Sequence, residues 1–303
     1  MMKKSIILIP LLCFSLISFS QNDTIWRKGG LSALNFNQVS LTNWAAGGDN
    51  SVGGNAILNL YANLKKNKWA WDNSLDMAIG GAKIGKQEFR KTDDKIDLNS
   101  KAGYEISSNL YLTYLFGFKT QFTEGFKYAD DNSRTRISNF LTPGYMLNSL
   151  GIDWKPLENI SVFISPVTAK TTLVNDQLLI DLSKLADVPL YGVEPGKKIR
   201  NETGAYFSGK YQKTLMENVV FSTKVELFSS YNNKPQNIDV NWENIISLKI
   251  NKYINALIMT QLLYDNDVFV PKNDVNAPAG PGTQFKETFG IGFSYKFDGY
   301  SIR

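Results

Sequence analysis

The sequence of 303 residues contains no histidine and a single cysteine, Cys13. Without histidine the usual neutral-pH general base is missing, so a Ser-His-Asp type of hydrolase is excluded. No Ser-Lys pair or paired-Glu constellation stands at a spacing that would supply a substitute base, and no enzyme activity is expected. With no His and only Cys13, no zinc site is expected. Asp93-Asp94 and Asp130-Asp131-Asn132 could offer carboxylates to Ca²⁺, but neither has EF-hand spacing, and both read as solvated loop charge. No cofactor or metal is expected. After the first twenty residues no apolar run reaches 18, so no membrane-spanning helix is expected.

The first twenty residues have the three parts of a secretory signal. Lys3 and Lys4 form a basic start, residues 5–19 are apolar, and Ser18 and Ser20 precede a cut before Gln21. A helical anchor is the competing reading, disfavoured because the run is short and interrupted by Pro10. Cys13 follows Leu11-Leu12 in mid-run, which does not suit a lipidated cysteine. Cleavage removes Cys13, Lys3 and Lys4, leaving 33 − 2 = 31 basic residues against 28 acidic, a net charge of +3. No basic stretch carries interleaved aromatics, so no nucleic-acid partner is expected.

What the chain has in quantity is alternation. Residues 52–64 place Val52, Ala56, Leu58, Leu60 and Leu64 on one face and Asn55, Asn59 and Asn63 on the other. The same period recurs at about 31–41, 69–79, 96–106, 110–122, 137–154, 159–172, 203–213, 218–231, 239–250, 253–265 and 285–297. That makes twelve segments. Their connections alternate long and short: 42–51, 84–94, 124–136, 173–202, 231–238 and 266–283 are long, with tight turns between. Segments of about 10–14 residues exceed the usual sandwich strand of about 5–6 and suit a tilted bilayer crossing. The 14 Tyr, 18 Phe and 6 Trp cluster toward segment ends, as interfacial girdles do. The expected fold is all-β: an antiparallel outer-membrane β-barrel of about 12 strands, with long extracellular loops, short periplasmic turns and both termini periplasmic. Residues 21–30 form a short periplasmic segment and 31–303 the barrel. In the last strand Phe289, Ile291, Phe293, Tyr295 and Phe297 alternate with small or polar residues, resembling the signal read by the outer-membrane insertion machinery. Residues 298–303 then follow as a tail. Outer-membrane lipid and that machinery are the expected partners, with other outer-membrane or surface proteins as further candidates.

Parity assigns the interior. Asp72, Asp76, Asp97, Glu105, Glu226, Asp239, Glu243 and Asp265 share it with Lys65, Lys101, Lys119, Lys210, Lys224, Lys249, Lys286 and Lys296. A pore selecting one ionic sign would carry rings of one charge. A balanced set suits pairing across the lumen, and the bulky interior positions Tyr61, Tyr111, Leu115, Phe163, Tyr206, Phe228, Leu257, Met259 and Leu263 point the same way. A solvated lumen wall stands beside that occluded reading. A wide porin is disfavoured, since such channels use about 16–18 strands. The functions left are a narrow or occluded channel for small solutes, a structural membrane element, or an accessory subunit of an assembly, secretion or surface-display complex.

Several stretches resemble a family. They are 26–30 (WRKGG), 35–48 (NFNQVSLTNWAAGG), 142–145 (TPGY), 165–167 (SPV) and 191–198 (YGVEPGKK). Together they resemble an uncharacterised Bacteroidota family known as domain of unknown function 3078, which implies an outer-membrane protein but no activity or site residues. In physical terms, Trp44, Gly47 and Gly48 form a Gly-rich first loop that can fold tightly at the barrel mouth. Pro195 and Gly196 fit a defined turn, and Arg200 and Glu202 enter the next strand on the interior parity. These residues read either as a lid or docking surface, or as turn chemistry with a rim salt bridge.

Overall fold

The computed structural model describes residues 25–41, 49–128, 133–270 and 280–302. The expected signal peptide and the candidate loop residues Trp44, Gly47 and Gly48 lie outside them, as do Asp130-Asp131-Asn132. Twelve strands form a single closed antiparallel barrel: β1 (Ile25–Val39), β2 (Ser51–Lys66), β3 (Trp69–Ile84), β4 (Arg90–Ser107), β5 (Leu110–Thr120), β6 (Gly144–Leu157), β7 (Ile160–Leu173), β8 (Ile199–Met216), β9 (Val219–Ser230), β10 (Ile238–Lys249), β11 (Ile254–Tyr264) and β12 (Gln284–Ile302). Each strand pairs with its neighbours in the chain, and β12 returns to β1, so no edge is left unpaired. All twelve expected segments are present. At the short turns Asn67, Asn109 and Asn218 take left-handed backbone angles, which Asn tolerates better than other non-glycine residues.

The two ends of the barrel chain differ from expectation. β1 begins at Ile25, so residues 25–30 belong to the barrel rather than to a separate segment before it. The presumed tail is strand as well: Asp298 pairs with Gly29 and Ile302 with Ile25. The period is blank here because Gly29, Gly30 and Gly299 carry no side chain to mark a face.

Three long connections are structured. Residues 125–128 and 134–138 form a small hairpin, as do 269–270 and 280–281. The longest connection carries helix α1 (Gln177–Ala186). Its N-cap is Asp176, whose carboxylate accepts the Leu179 N–H at 3.1 Å. The strand expected to begin at 137 begins at Gly144 instead. Leu141 is left-handed, Asn139 and Thr142 bridge each other, and Pro143 has no N–H to give a ladder.

The outer wall is apolar. Leu34, Phe36, Leu112, Ile164, Phe289 and Phe293 are exposed on it. Near the short-turn rim Trp26 lies 6.1 Å from Trp71, and Trp69 lies 5.1 Å from Tyr104, centroid to centroid.

Candidate functional site in the barrel lumen

The interior wall is bulky on one side. Leu115 (β5), Phe163 (β7), Tyr206 (β8) and Phe228 (β9) form a buried cluster with Leu147 against it. Toward the strands that close the ring, a smaller cluster of Ala33, Ile57 and Leu257 packs with Met259. Between these walls the lumen is crossed by ion pairs.

At mid-height Lys95 on β4 donates to Glu243 on β10, 2.8 Å away. In a ring of twelve these strands are six apart, the greatest separation possible. Lys119 on β5 meets Glu226 on β9, four strands away. Glu226 also receives Tyr206 Oη at 2.7 Å, Asn241 Nδ2 at 2.8 Å and Lys224 Nζ at 3.1 Å. Asp97, 1% exposed, lies 3.8 Å from both Lys95 and Lys119 and accepts Asn99 Nδ2 at 2.7 Å. Gln261 Nε2 joins Asn241 and Glu243 at 3.0 and 3.1 Å. Each mid-level carboxylate therefore has cationic or amide donors, which is what burying a charge requires.

A second layer lies toward the short turns. Lys101 donates to Asp153 at 3.1 Å and to Ser161 Oγ at 3.1 Å, and Lys155 meets Asp72 three strands away. Asp76 accepts Asn59 Nδ2 at 2.7 Å. A third layer lies toward the long loops, where Lys170 pairs with Asp239 at 2.6 Å and Lys286 with Asp93 at 2.7 Å.

The expected lumen residues fall into two groups. Asp72, Asp76, Asp97, Lys101, Lys119, Lys224, Glu226, Glu243 and Lys286 join the networks. Among the described residues Glu105, Lys210 and Lys249 make no ion pair. Lys210 faces Lys224 across β8 and β9 on an exposed stretch of the interior, and Lys249 is exposed at the end of β10. Lys65 and Lys296 are exposed as well.

Asp93, Lys95, Asp153, Lys155 and Lys170 also face this interior and are absent from the expected set. Lys95 directly precedes Ile96, where the strand was expected to begin. Lys155 lies just past the expected segment end at 154, whereas the strand runs on to Leu157. Lys170 was hidden by a bulge: Ser165 and Thr168 both face inward, so the parity of β7 flips at Pro166, and the register with β6 and β8 shifts there. The Ser-Pro sequence at 165–166 was the available signal.

Residues 174–198 fold into a cap against the long-loop rim. Val174, Ile180 and Val193 form its buried core. Asp176 ties the cap to the rim, accepting Asn139 Nδ2 at 2.8 Å and Arg136 Nη1 at 3.1 Å. Burial alone would raise the Asp176 carboxyl. The hydrogen bonds from Asn139, the Leu179 N–H and Arg136 outweigh it and hold the group below the usual Asp range. Tyr191 Oη donates to the Ile137 carbonyl at 2.6 Å, and burial pushes the phenol up to about 12, so it remains a neutral donor.

The expected turn at Pro195-Gly196 is present. The Lys197 N–H bonds Glu194 O at 2.9 Å, and Gly196 supplies φ +75° at the third position, as a type II turn demands. A second turn, Leu190–Val193, has both central residues left-handed, Tyr191 at φ +53° and Gly192 at φ +77°. Gly192 sits under Arg200, whose Nη1 donates to its carbonyl at 3.2 Å; a Cβ on Gly192 would lie 2.0 Å from that nitrogen. Arg200 also pairs with Glu202 at 2.8 Å and Asp267 at 2.7 Å. The expected rim salt bridge thus joins the cap, β8 and the start of the last long loop.

Residues 36–126 match a family model described as "Protein of unknown function (DUF3078)". The resembling stretches at 26–30, 142–145, 165–167 and 191–198 lie outside that match. No curated protein matches the chain. Among solved structures the chain is similar to the translocator domain of the autotransporter NalP from Neisseria meningitidis, at 10% identity and TM-score 0.37, covering 91% of this chain and 90% of that one. It is also similar to the COG4313 outer membrane channel from Pseudomonas putida F1, at 8% identity and TM-score 0.37, covering 92% and 97%. The NanC porin follows at 11% identity and TM-score 0.35, covering 87% and 98%. Scores of this size transfer no residue role from any of the three.

Proposed function

We propose that the chain is a non-enzymatic β-barrel of the outer membrane of a Gram-negative bacterium of the Bacteroidota, exported by a signal cleaved before Gln21, with both termini periplasmic. Its lumen is occluded at rest, and it serves as a structural membrane element rather than an open pore. The observation that carries this reading is the Lys95–Glu243 hydrogen bond between diametrically opposed strands. A lumen through which solute passed freely would not have side chains of opposite walls bonded at its middle. The apolar outer wall with aromatic pairs near the short-turn rim supports the membrane location.

A second reading, an accessory subunit of a larger outer-membrane complex, is favoured by the folded cap over 174–198, which offers a defined surface where a solvated loop would suffice for a bare barrel. Planar-bilayer recording tests the occluded lumen. Folded wild-type protein is expected to insert without steady current, whereas a Lys95→Ala, Glu243→Ala double variant is expected to show discrete openings. Sustained conductance from the wild type would overturn the proposal. Detergent pull-down of native protein addresses the second reading, and recovery without a stoichiometric partner counts against it.

A further inference from the structure

Helix α1 is apolar on two opposite faces. Leu179 and Ile180 are buried in the cap, whereas Leu178, Leu182 and Leu185 are 51%, 45% and 86% exposed. At 3.6 residues per turn the last three fall on one narrow stripe, turned away from the buried face. A surface helix built only to close a loop would present polar residues there.

The helix is also held low. Only residues 174–176 separate the end of β7 from Gln177, a tether whose four links reach at most about 14 Å. Backbone bonds shorten it further: the Asn175 N–H bonds Leu141 O at 3.1 Å and the Asp176 N–H bonds Thr142 Oγ1 at 2.9 Å, both on the rim. At the same rim Ile137 and Phe140 are exposed, and the Ile137 carbonyl is bonded by Tyr191 of the cap at 2.6 Å. The short tether keeps the apolar stripe within reach of the upper edge of the barrel wall.

We propose that α1 lies along the headgroup–acyl boundary of the leaflet at the long-loop rim, with Leu178, Leu182 and Leu185 inserted among lipid chains. The helix would then anchor the cap to the membrane surface, as amphipathic interfacial helices do. This inference rests on the membrane-barrel reading above.

The test uses the full chain in a Cys13→Ser background, with single cysteines carrying an environment-sensitive NBD label. The protein is folded into phosphatidylcholine–phosphatidylglycerol vesicles containing doxyl-labelled lipid. Leu185→Cys is the reporter, Leu182→Cys replaces it if that variant does not fold, and Phe118→Cys on the β5 wall is the reference. Both reporter and reference are expected to lose at least half their emission to doxyl lipid. If Phe118 is quenched while the Leu185 label answers only to aqueous iodide, the helix faces water and the inference fails alone. A Leu185 label shielded from both quenchers means that protein covers the stripe, which also overturns it. If the Phe118 label is not quenched, the membrane-barrel reading has failed and takes the inference with it.

Discussion

Lys95 Nζ and Glu243 Oε1 meet 2.8 Å apart across the full width of the barrel, joining strands that have no backbone contact with each other. The backbone ladder ties each strand only to its two neighbours. The transverse bonds make opposite walls into one interior, closer to a polar protein core than to a channel lining. Such an interior is sensitive to losing one partner and tolerant of losing both, because the cost lies in the charge left behind.

Lys95→Met alone is expected to lower stability by about 2 kcal/mol, since Glu243 keeps only the Gln261 amide. Lys95→Met with Glu243→Leu is expected to recover most of that loss. Urea unfolding in detergent micelles measures both. A double variant no more stable than Lys95→Met alone would show that the pair is not coupled as described.

Glu226 is the most heavily bonded carboxylate of the lumen, receiving Lys119, Lys224, Tyr206 and Asn241. Glu226→Ala leaves Lys224 without an ion-pair partner and Lys119 with only Asp97 at 3.8 Å, and is expected to cost about 3–5 kcal/mol. Tyr206→Phe removes one neutral donor and is expected to cost about 1 kcal/mol. The fraction of heat-modifiable, folded protein on a semi-native gel after graded urea ranks the two variants, and the reverse order would contradict the assignment.

Arg200 holds the Leu190–Val193 turn to β8 and to Asp267. Arg200→Ala is expected to loosen the cap while leaving the barrel folded. Limited proteolysis should then cut within 174–198 at least tenfold faster, with the barrel fragment remaining resistant. Unchanged cleavage would mean the buried core around Val193 holds the cap without the arginine.

The cap should also respond to acid. The folded-state pKa of Asp176 is depressed, so its contribution is fully present above the unfolded value near 4 and is lost as pH falls through the lower folded value. Hydrogen exchange of the α1 amides should therefore be protected at neutral pH and lose part of that protection below about pH 4. Asp176→Asn is expected to remove the pH dependence and weaken the cap at neutral pH as well. If the variant keeps the wild-type acid response, another group is responsible.

The twelve strands and the inward set that includes Asp97, Glu226 and Glu243 are legible in the sequence, because each strand carries its own period and needs no partner to display it. The same signal fails wherever the period is interrupted. Glycines blank it at 25–30, and the bulge at Pro166 inverts it for Lys170. The cap is illegible for a different reason: a 25-residue connection has no period, and its core of Val174, Ile180 and Val193 joins residues that no spacing rule relates. What the sequence determines by itself is therefore local and periodic: which segments cross, which side chains point inward, and which chemistry the absence of histidine excludes. Only closure of the ring decides which inward charges meet. Lys95 and Glu243 are 148 residues apart and six strands apart, and only the curvature of a closed twelve-strand sheet brings one against the other.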